Sequence, residues 1–159
     1  MKKKISFTWI PGALVAIAII MVVAVIVVAL KHSSTLREFK VDMFVLCNES
    51  NICSAEGHDG TVRVDSENLQ ALYAIIYSTR GKYTTGNPDA EDNVTFEFDC
   101  HDEKWLLNIE KINDDLLRLT LDGTRSYKLY LRNMDKYNTI LDIASAAGYK
   151  HSNKLLKQK

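Results

Sequence analysis

The chain has 159 residues, twenty of them basic and twenty acidic, so its formal net charge is zero, and 47% of its residues are hydrophobic. The balance is uneven: residues 1–31 carry four lysines and no acid, residues 150–159 carry four lysines, and the stretch between holds twelve basic residues and all twenty acids, a net −8. An acidic middle repels phosphate backbones, which excludes nucleic acid as a partner, and the basic tail reads as a short solvated terminus.

The chain opens MKKKISFTWIPGALVAIAIIMVVAVIVVALK, with eighteen uncharged apolar residues in a row from Ala13 to Leu30. At 1.5 Å per residue these span about 27 Å, and the uncharged flank from Ile5 to Gly12 extends the reach past a hydrocarbon core of about 30 Å. Trp9 suits the headgroup interface, and Pro11 suits a first helical turn, where its missing N–H is not needed. A cleaved secretory signal would have a shorter apolar core ending in a small-x-small site; Val28-Ala29-Leu30-Lys31 does not supply one. The sequence therefore predicts an uncleaved membrane anchor over residues 1–31, its helix at about 10–30 and in contact with lipid. Lys2, Lys3, Lys4 and the amino terminus outweigh the charge beyond the segment, which places the N-terminus inside and the C-terminal domain outside the cell membrane.

A short linker, 32–35, leads into one domain, 36–149, of ordinary single-domain size. Alternation at Phe39, Val41, Met43 and Val45 predicts a first strand from about Leu36 to Cys47. Thr61–Val64 is a second. Ser66 is placed to cap a helix carrying the stripe Leu69, Leu72, Tyr73 and Ile76, with Gly81 as its stop. A third strand contains Val94, Phe96 and Phe98, a fourth Trp105, Leu107 and Ile109, a fifth Leu117, Leu119 and Leu121, and a sixth Tyr127, Leu129 and Leu131. Asp122-Gly123 reads as a two-residue hairpin turn with positive φ at both positions. A final helix has the stripe Tyr137, Ile140, Leu141 and Ala144, with Asn133 as cap and Gly148 as stop, and the basic tail 150–159 follows. The order is ββαββββα: an α+β domain in which two amphipathic helices cover one face of a mostly antiparallel sheet. A bent half-barrel closed by the C-terminal helix is the alternative.

The stretch LCNESNICSAEGHDG, Leu46–Gly60, holds Cys47 and Cys53, which a hairpin would bring together. A bridge there would suit an oxidising compartment and restrict the unfolded chain by roughly 2 kcal/mol. Cys100 ends an inward-facing series and reads as a buried thiol at the opposite end of the sheet. Cys47, Cys53 and Cys100 with His58 or His101 match the ligand types of a zinc site, but the short Cys-x-x-Cys spacing is missing. Asp89, Glu91 and Asn93 alternate as in calcium loops, without the glycine and the late glutamate of that motif. Asn48-Glu49-Ser50 and Asn93-Val94-Thr95 fit glycosylation tripeptides, a frequent chance match.

No nucleophile elbow, phosphate loop or metalloprotease motif occurs, and a Cys100–His101 dyad is opposed by strand geometry, which points neighbours to opposite faces. No catalytic residue and no cofactor is expected. The lysine leader, apolar helix and β-rich domain are similar to those of pilin-like subunits. That resemblance implies a helix continuing into the domain and a glutamate early in the apolar run; strand patterning from Leu36 and an apolar run without glutamate speak against a filament. The expected function is a non-enzymatic module that binds a protein partner or an envelope component at the membrane, through sheet faces carrying Arg118 and Thr120, and Lys128, Tyr130 and Arg132. The alternative is a small-ligand or metal sensor using the Cys47–Asp59 loop.

Overall fold

The computed structural model describes residues 10–57, 60–84, 86–133 and 135–145, and of residues 10–13 the backbone only. The chain forms two compact units, Met1–Thr35 and Leu36–Lys159. The first helix, α1 (Ile10–Glu49), runs through the boundary between them. In the first unit its side chains from Leu14 to Leu30 are exposed, Val25 at 68% and Ile20 at 67%. An 18-residue window reaches a mean hydropathy of 3.1 with none of it buried, so this is one helix, near the N-terminus, long and apolar enough to cross a membrane.

The strand expected at Leu36–Cys47, and the linker at 32–35, are helical. Phe39 and Met43 fit either period, but the residues actually buried are Phe39, Met43, Leu46 and Cys47, at helical spacing, while Val41 is 57% exposed. The reason lies upstream. From Ala13 to Glu49 there is no glycine or proline, and extending an existing helix fixes one residue per new hydrogen bond with no new nucleus. Local alternation cannot compete with that.

The domain then reads β1 (Ile52–Gly57), β2 (Gly60–Arg63), α2 (Ser66–Ser78), β3 (Asp92–Cys100), β4 (Glu103–Asn113), β5 (Leu116–Asp122), β6 (Ser126–Arg132) and α3 (Lys136–Ile143). The strands make one six-stranded antiparallel sheet in the order β2-β1-β3-β4-β5-β6. This is an α+β fold with an open sheet, and the half-barrel is not formed. The order ββαββββα holds after α1, but its first strand is β1, starting at Ile52.

Alternation sorts the two faces. Phe96, Phe98, Leu107, Ile109, Leu119, Leu121 and Leu129 point inward and are at most 2% exposed. The Leu36–Glu49 part of α1, with Leu69, Leu72 and Ile76 of α2 and Tyr137, Ile140 and Ile143 of α3, completes one core on that face. A polar clamp fixes the helix to the sheet: the Tyr127 hydroxyl donates to Asp42 Oδ2 at 2.6 Å, and the Phe39 and Tyr127 rings meet edge-on at 5.8 Å.

The caps are shifted by one residue or replaced. Asp65, not Ser66, caps α2, its Oδ1 accepting from the Asn68 amide at 2.9 Å, where a carboxylate also suits the helix dipole. The helix ends at Thr79, and Gly81 instead sits opposite Leu131 in an isolated bridge. The cap position of α3 is Asp135, whose side chain makes no cap bond; Asn133, two residues earlier, serves the helix start instead, its Oδ1 accepting from the Tyr137 amide at 3.0 Å and its side-chain amide donating to Asn113 O at 3.2 Å. The expected stop, Gly148, lies outside the described residues.

The turns exchange roles. The positive-φ pair is His101 (φ 53°) and Asp102 (φ 64°), between Cys100 and Glu103. Gly123 lies after β5 in a three-residue connection closed by Asp122 and Ser126, and it is needed for a different reason. A Cβ there would sit 2.3 Å from the Trp105 ring. Gly123→Ala is therefore expected to lower stability by about 1–3 kcal/mol through overpacking, and Trp105→Leu in the same chain to recover part of the loss; urea unfolding followed by tyrosine fluorescence measures both.

Candidate functional site

Three regions of the domain carry chemistry, and the outer sheet face is the first. The segment after α2 does not leave the sheet bare. Lys82 N donates to Tyr130 O at 2.8 Å and Arg132 N to Arg80 O at 3.1 Å, so residues 80–82 line the β6 edge, and Glu91 N donates to Lys111 O at 2.7 Å. Between these anchor points the strap bonds to Arg118. Its guanidinium pairs with both carboxylate oxygens of Glu110, with the Nη2 contact at 2.7 Å, and donates to Asn87 Oδ1 and Pro88 O, each at 2.8 Å. Tyr130 OH donates to Gly86 O at 3.3 Å, and Lys128 Nζ to Asn87 Oδ1 at 2.7 Å.

Of the sheet-face candidates, Arg118 (8% exposed) and Tyr130 (9%) are thus buried under the strap rather than open to a partner, while Lys128 and Arg132 are exposed. Strand alternation puts Arg118 and Tyr130 on the outer face, which is correct; it cannot show that a loop twenty-seven or more residues earlier covers that face. The loop read against a calcium motif is likewise served by protein cations. Arg118 and Lys128 take Asn87, and Lys111 Nζ lies 3.4 Å from Glu91.

The second region is a corner where the last turn of α1, the start of β1 and the end of β3 meet. Ile52 pairs with Asp99 and Cys53 with Phe98, so Cys100 lies at the same end of the sheet as Cys47 and Cys53, not at the opposite end. All three are buried free thiols, and the bridge expected between Cys47 and Cys53 is not formed. Cys47 belongs to a helical turn rather than to a strand leading into a hairpin. Burial pushes the Cys47 thiol up to about 12 and raises that of Cys53, which the neighbouring Cys47 raises further.

His101 is the residue whose position strand geometry misjudges. It stands in the turn, not in the strand, and its positive φ brings Nδ1 to 3.5 Å from Cys100 Sγ, while Nε2 lies 3.3 Å from Glu49 Oε2. Carboxylate, imidazole and thiol therefore form a chain. Its electrostatics oppose nucleophilic use: burial raises the Cys100 thiol, the Ser50 hydroxyl offsets this in part, and Glu49, Glu103 and Asp99 raise it again. A thiol raised in this way is a poor source of thiolate, so the contact with His101 is not an activated nucleophile. Nor do the thiols and His101 form a metal centre: among the described residues no group of three or more His, Cys, Asp or Glu is placed to hold an ion, and His58 and Asp59 lie outside those residues.

The third region was not foreseen. On the solvent side of α1 and α2, Val41 (57% exposed), Phe44 (49%) and Tyr77 (61%) stand out of the fold. The Phe44 and Tyr73 ring centroids are 5.5 Å apart, those of Tyr73 and Tyr77 5.6 Å, and Lys40 Nζ sits 5.3 Å from the Tyr77 centroid. Reading Leu36–Cys47 as a strand hid this row, because only a helix places Val41 and Phe44 side by side, three residues apart.

No family model matches the chain, and no curated protein or solved structure matches it.

Arg118→Met leaves the partly buried Glu110 without its partner and is expected to cost about 3 kcal/mol. Arg118 holds the Glu110 carboxyl below the usual carboxylate range, so the pair's contribution is fully present above the unfolded carboxyl pKa and is lost as pH falls through the lower folded one. Unfolding free energy measured from pH 7 to pH 3 is expected to fall in the native chain, and that fall is expected to be smaller in Glu110→Gln. For the thiols, native alkylation at pH 8 is expected to leave Cys47 and Cys53 unmodified, and denaturation without reductant to release all three; intact mass reads both.

Proposed function

We propose that the chain is a single-pass membrane protein, anchored by the apolar part of α1 with its N-terminus inside, and that its outside domain is a non-enzymatic module binding another protein. The observation that carries the reading is the exposed Val41, Phe44 and Tyr77, with the half-buried ring of Tyr73 in contact with both Phe44 and Tyr77. A domain that fully buries Phe96, Phe98, Leu107 and Ile109 leaves Phe44, Tyr77 and Val41 about half exposed or more, the two rings bridged by Tyr73. Clustered aromatics near a cation are the residue types that dominate interface energy. The support for the anchor is the unburied apolar helix and its lysine-rich start. Of the sheet-face candidates, Arg118, Lys128 and Tyr130 bond to the strap, which leaves the exposed side chain of Arg132 as a separate polar candidate on the outer face.

The test is cross-linking in cells with a photoreactive residue at position 41, three residues before Phe44 on the same helix. A discrete partner adduct is expected, reduced about thirtyfold or more by Phe44→Ala with Tyr77→Ala, the loss of two anchor residues at about 1–2 kcal/mol each. An adduct unchanged by the double substitution would remove the reading.

A filament subunit is the second reading, favoured by one observation: α1 continues to Glu49 inside the domain, as that class requires. The early glutamate is still missing from the apolar run. Sheared filaments containing the chain would support it, and recovery solely as dispersed membrane protein would not.

A further inference from the structure

We propose that Lys40 and Lys136 form a binding site for a phosphate group where α2 ends. Two ammonium groups from different helices converge on one residue. Lys40 Nζ donates to Tyr77 O at 2.7 Å and to Thr79 O at 3.1 Å, and Lys136 Nζ donates to Ser78 Oγ at 2.7 Å and to Thr79 Oγ1 at 3.1 Å. Lys40 complements the terminal carbonyls of α2, whereas Lys136 reaches only the Ser78 and Thr79 hydroxyls. The second lysine adds like-charge repulsion, with no carboxylate to relieve it. Among the described residues neither ammonium has an ion pair, although the domain is acidic as a whole and pairs Lys104, Lys111 and Arg118 with carboxylates.

The repulsion is felt at Lys40, whose ammonium is held below the usual lysine range first by burial and then by Lys136. Both side chains are half-buried and keep a solvent-facing side. A doubly charged anion reaching both ammonium groups would replace the repulsion with two charge-assisted hydrogen bonds. The hydroxyls beneath do not compete for this role, because Ser78 and Thr79 both donate to Ile75 O. Phosphate fits because its three terminal oxygens span two donors, and its source is either a lipid headgroup or a soluble phosphate compound.

The experiment uses the full chain in a neutral detergent and follows acylation of each lysine by mass spectrometry, in inorganic phosphate or in chloride at the same ionic strength. Phosphate is expected to slow Lys40 about tenfold, the effect of raising its pKa by about one unit, with Lys136 slowed as well and Lys104 unchanged. Lys136→Gln is expected to abolish the slowing at Lys40, and Lys136→Arg to keep it. Equal rates in the two salts, or slowing that survives Lys136→Gln, would overturn the site. A second arm places the chain in phosphatidylglycerol or phosphatidylcholine nanodiscs without added phosphate. Protection of Lys40 in the anionic discs alone identifies a headgroup; protection that appears only when phosphate is added identifies a soluble ligand.

Discussion

The domain depends on one contact: the burial of a helical stripe, Phe39, Met43, Leu46 and Cys47, on the inward face of the sheet. Each of these side chains is at most 4% exposed. The sheet alone would present a wide apolar face that α2 and α3, thirteen and eight residues long, share with the much longer α1. Antiparallel sheets with one covered face and one polar face need such a lid to exclude water from the core. The Tyr127–Asp42 bond adds direction to the contact, since burial alone does not fix the rotation of a helix about its axis.

The outer face is handled in a different way. A sheet with a solvated second face exposes its edge strands, and an exposed edge is a template for pairing with another chain. The two edges here are managed separately: β2 has only four residues, and β6 is lined by residues 80–82. The strap continues over the face itself and is held by a guanidinium whose donors go to Glu110, Asn87 and Pro88. Polar residues on this face therefore serve the chain's own loop before they are available to any partner. The solvent-facing aromatic groups are on the helices instead.

What could be read from the sequence follows a physical division. Strands β3 to β6 have one covered face and short connections, so period-two alternation locates them within a few residues. The stretch from Leu36 to Cys47 alternates equally well, and is helical because the helix before it never stops. That information lies outside any local window. The same limit explains Arg118 and Tyr130, whose face was legible and whose cover was not, because strap and strand meet through tertiary bonds. His101 fails for a narrower reason: at a strand's last residue, one positive φ redirects the next side chain. Asp122-Gly123 is not the two-residue turn that the dipeptide suggests, and it is the ring of Trp105 in another strand, rather than backbone freedom, that requires the glycine.

The position of α1 in the chain has a consequence for synthesis. The stripe that holds the core together is made first, and its most distant partners are made last; Tyr127 lies 85 residues beyond Asp42. At about 5–20 residues per second, the helix waits on the order of ten seconds before its sheet exists. During that interval its apolar side chains have no native surface to cover them. The β3–β6 meander, by contrast, closes through connections of two or three residues and can form as soon as it emerges. Folding of this domain is therefore the docking of an old helix onto a young sheet, and whatever shields Phe39 and Met43 during the delay governs the yield.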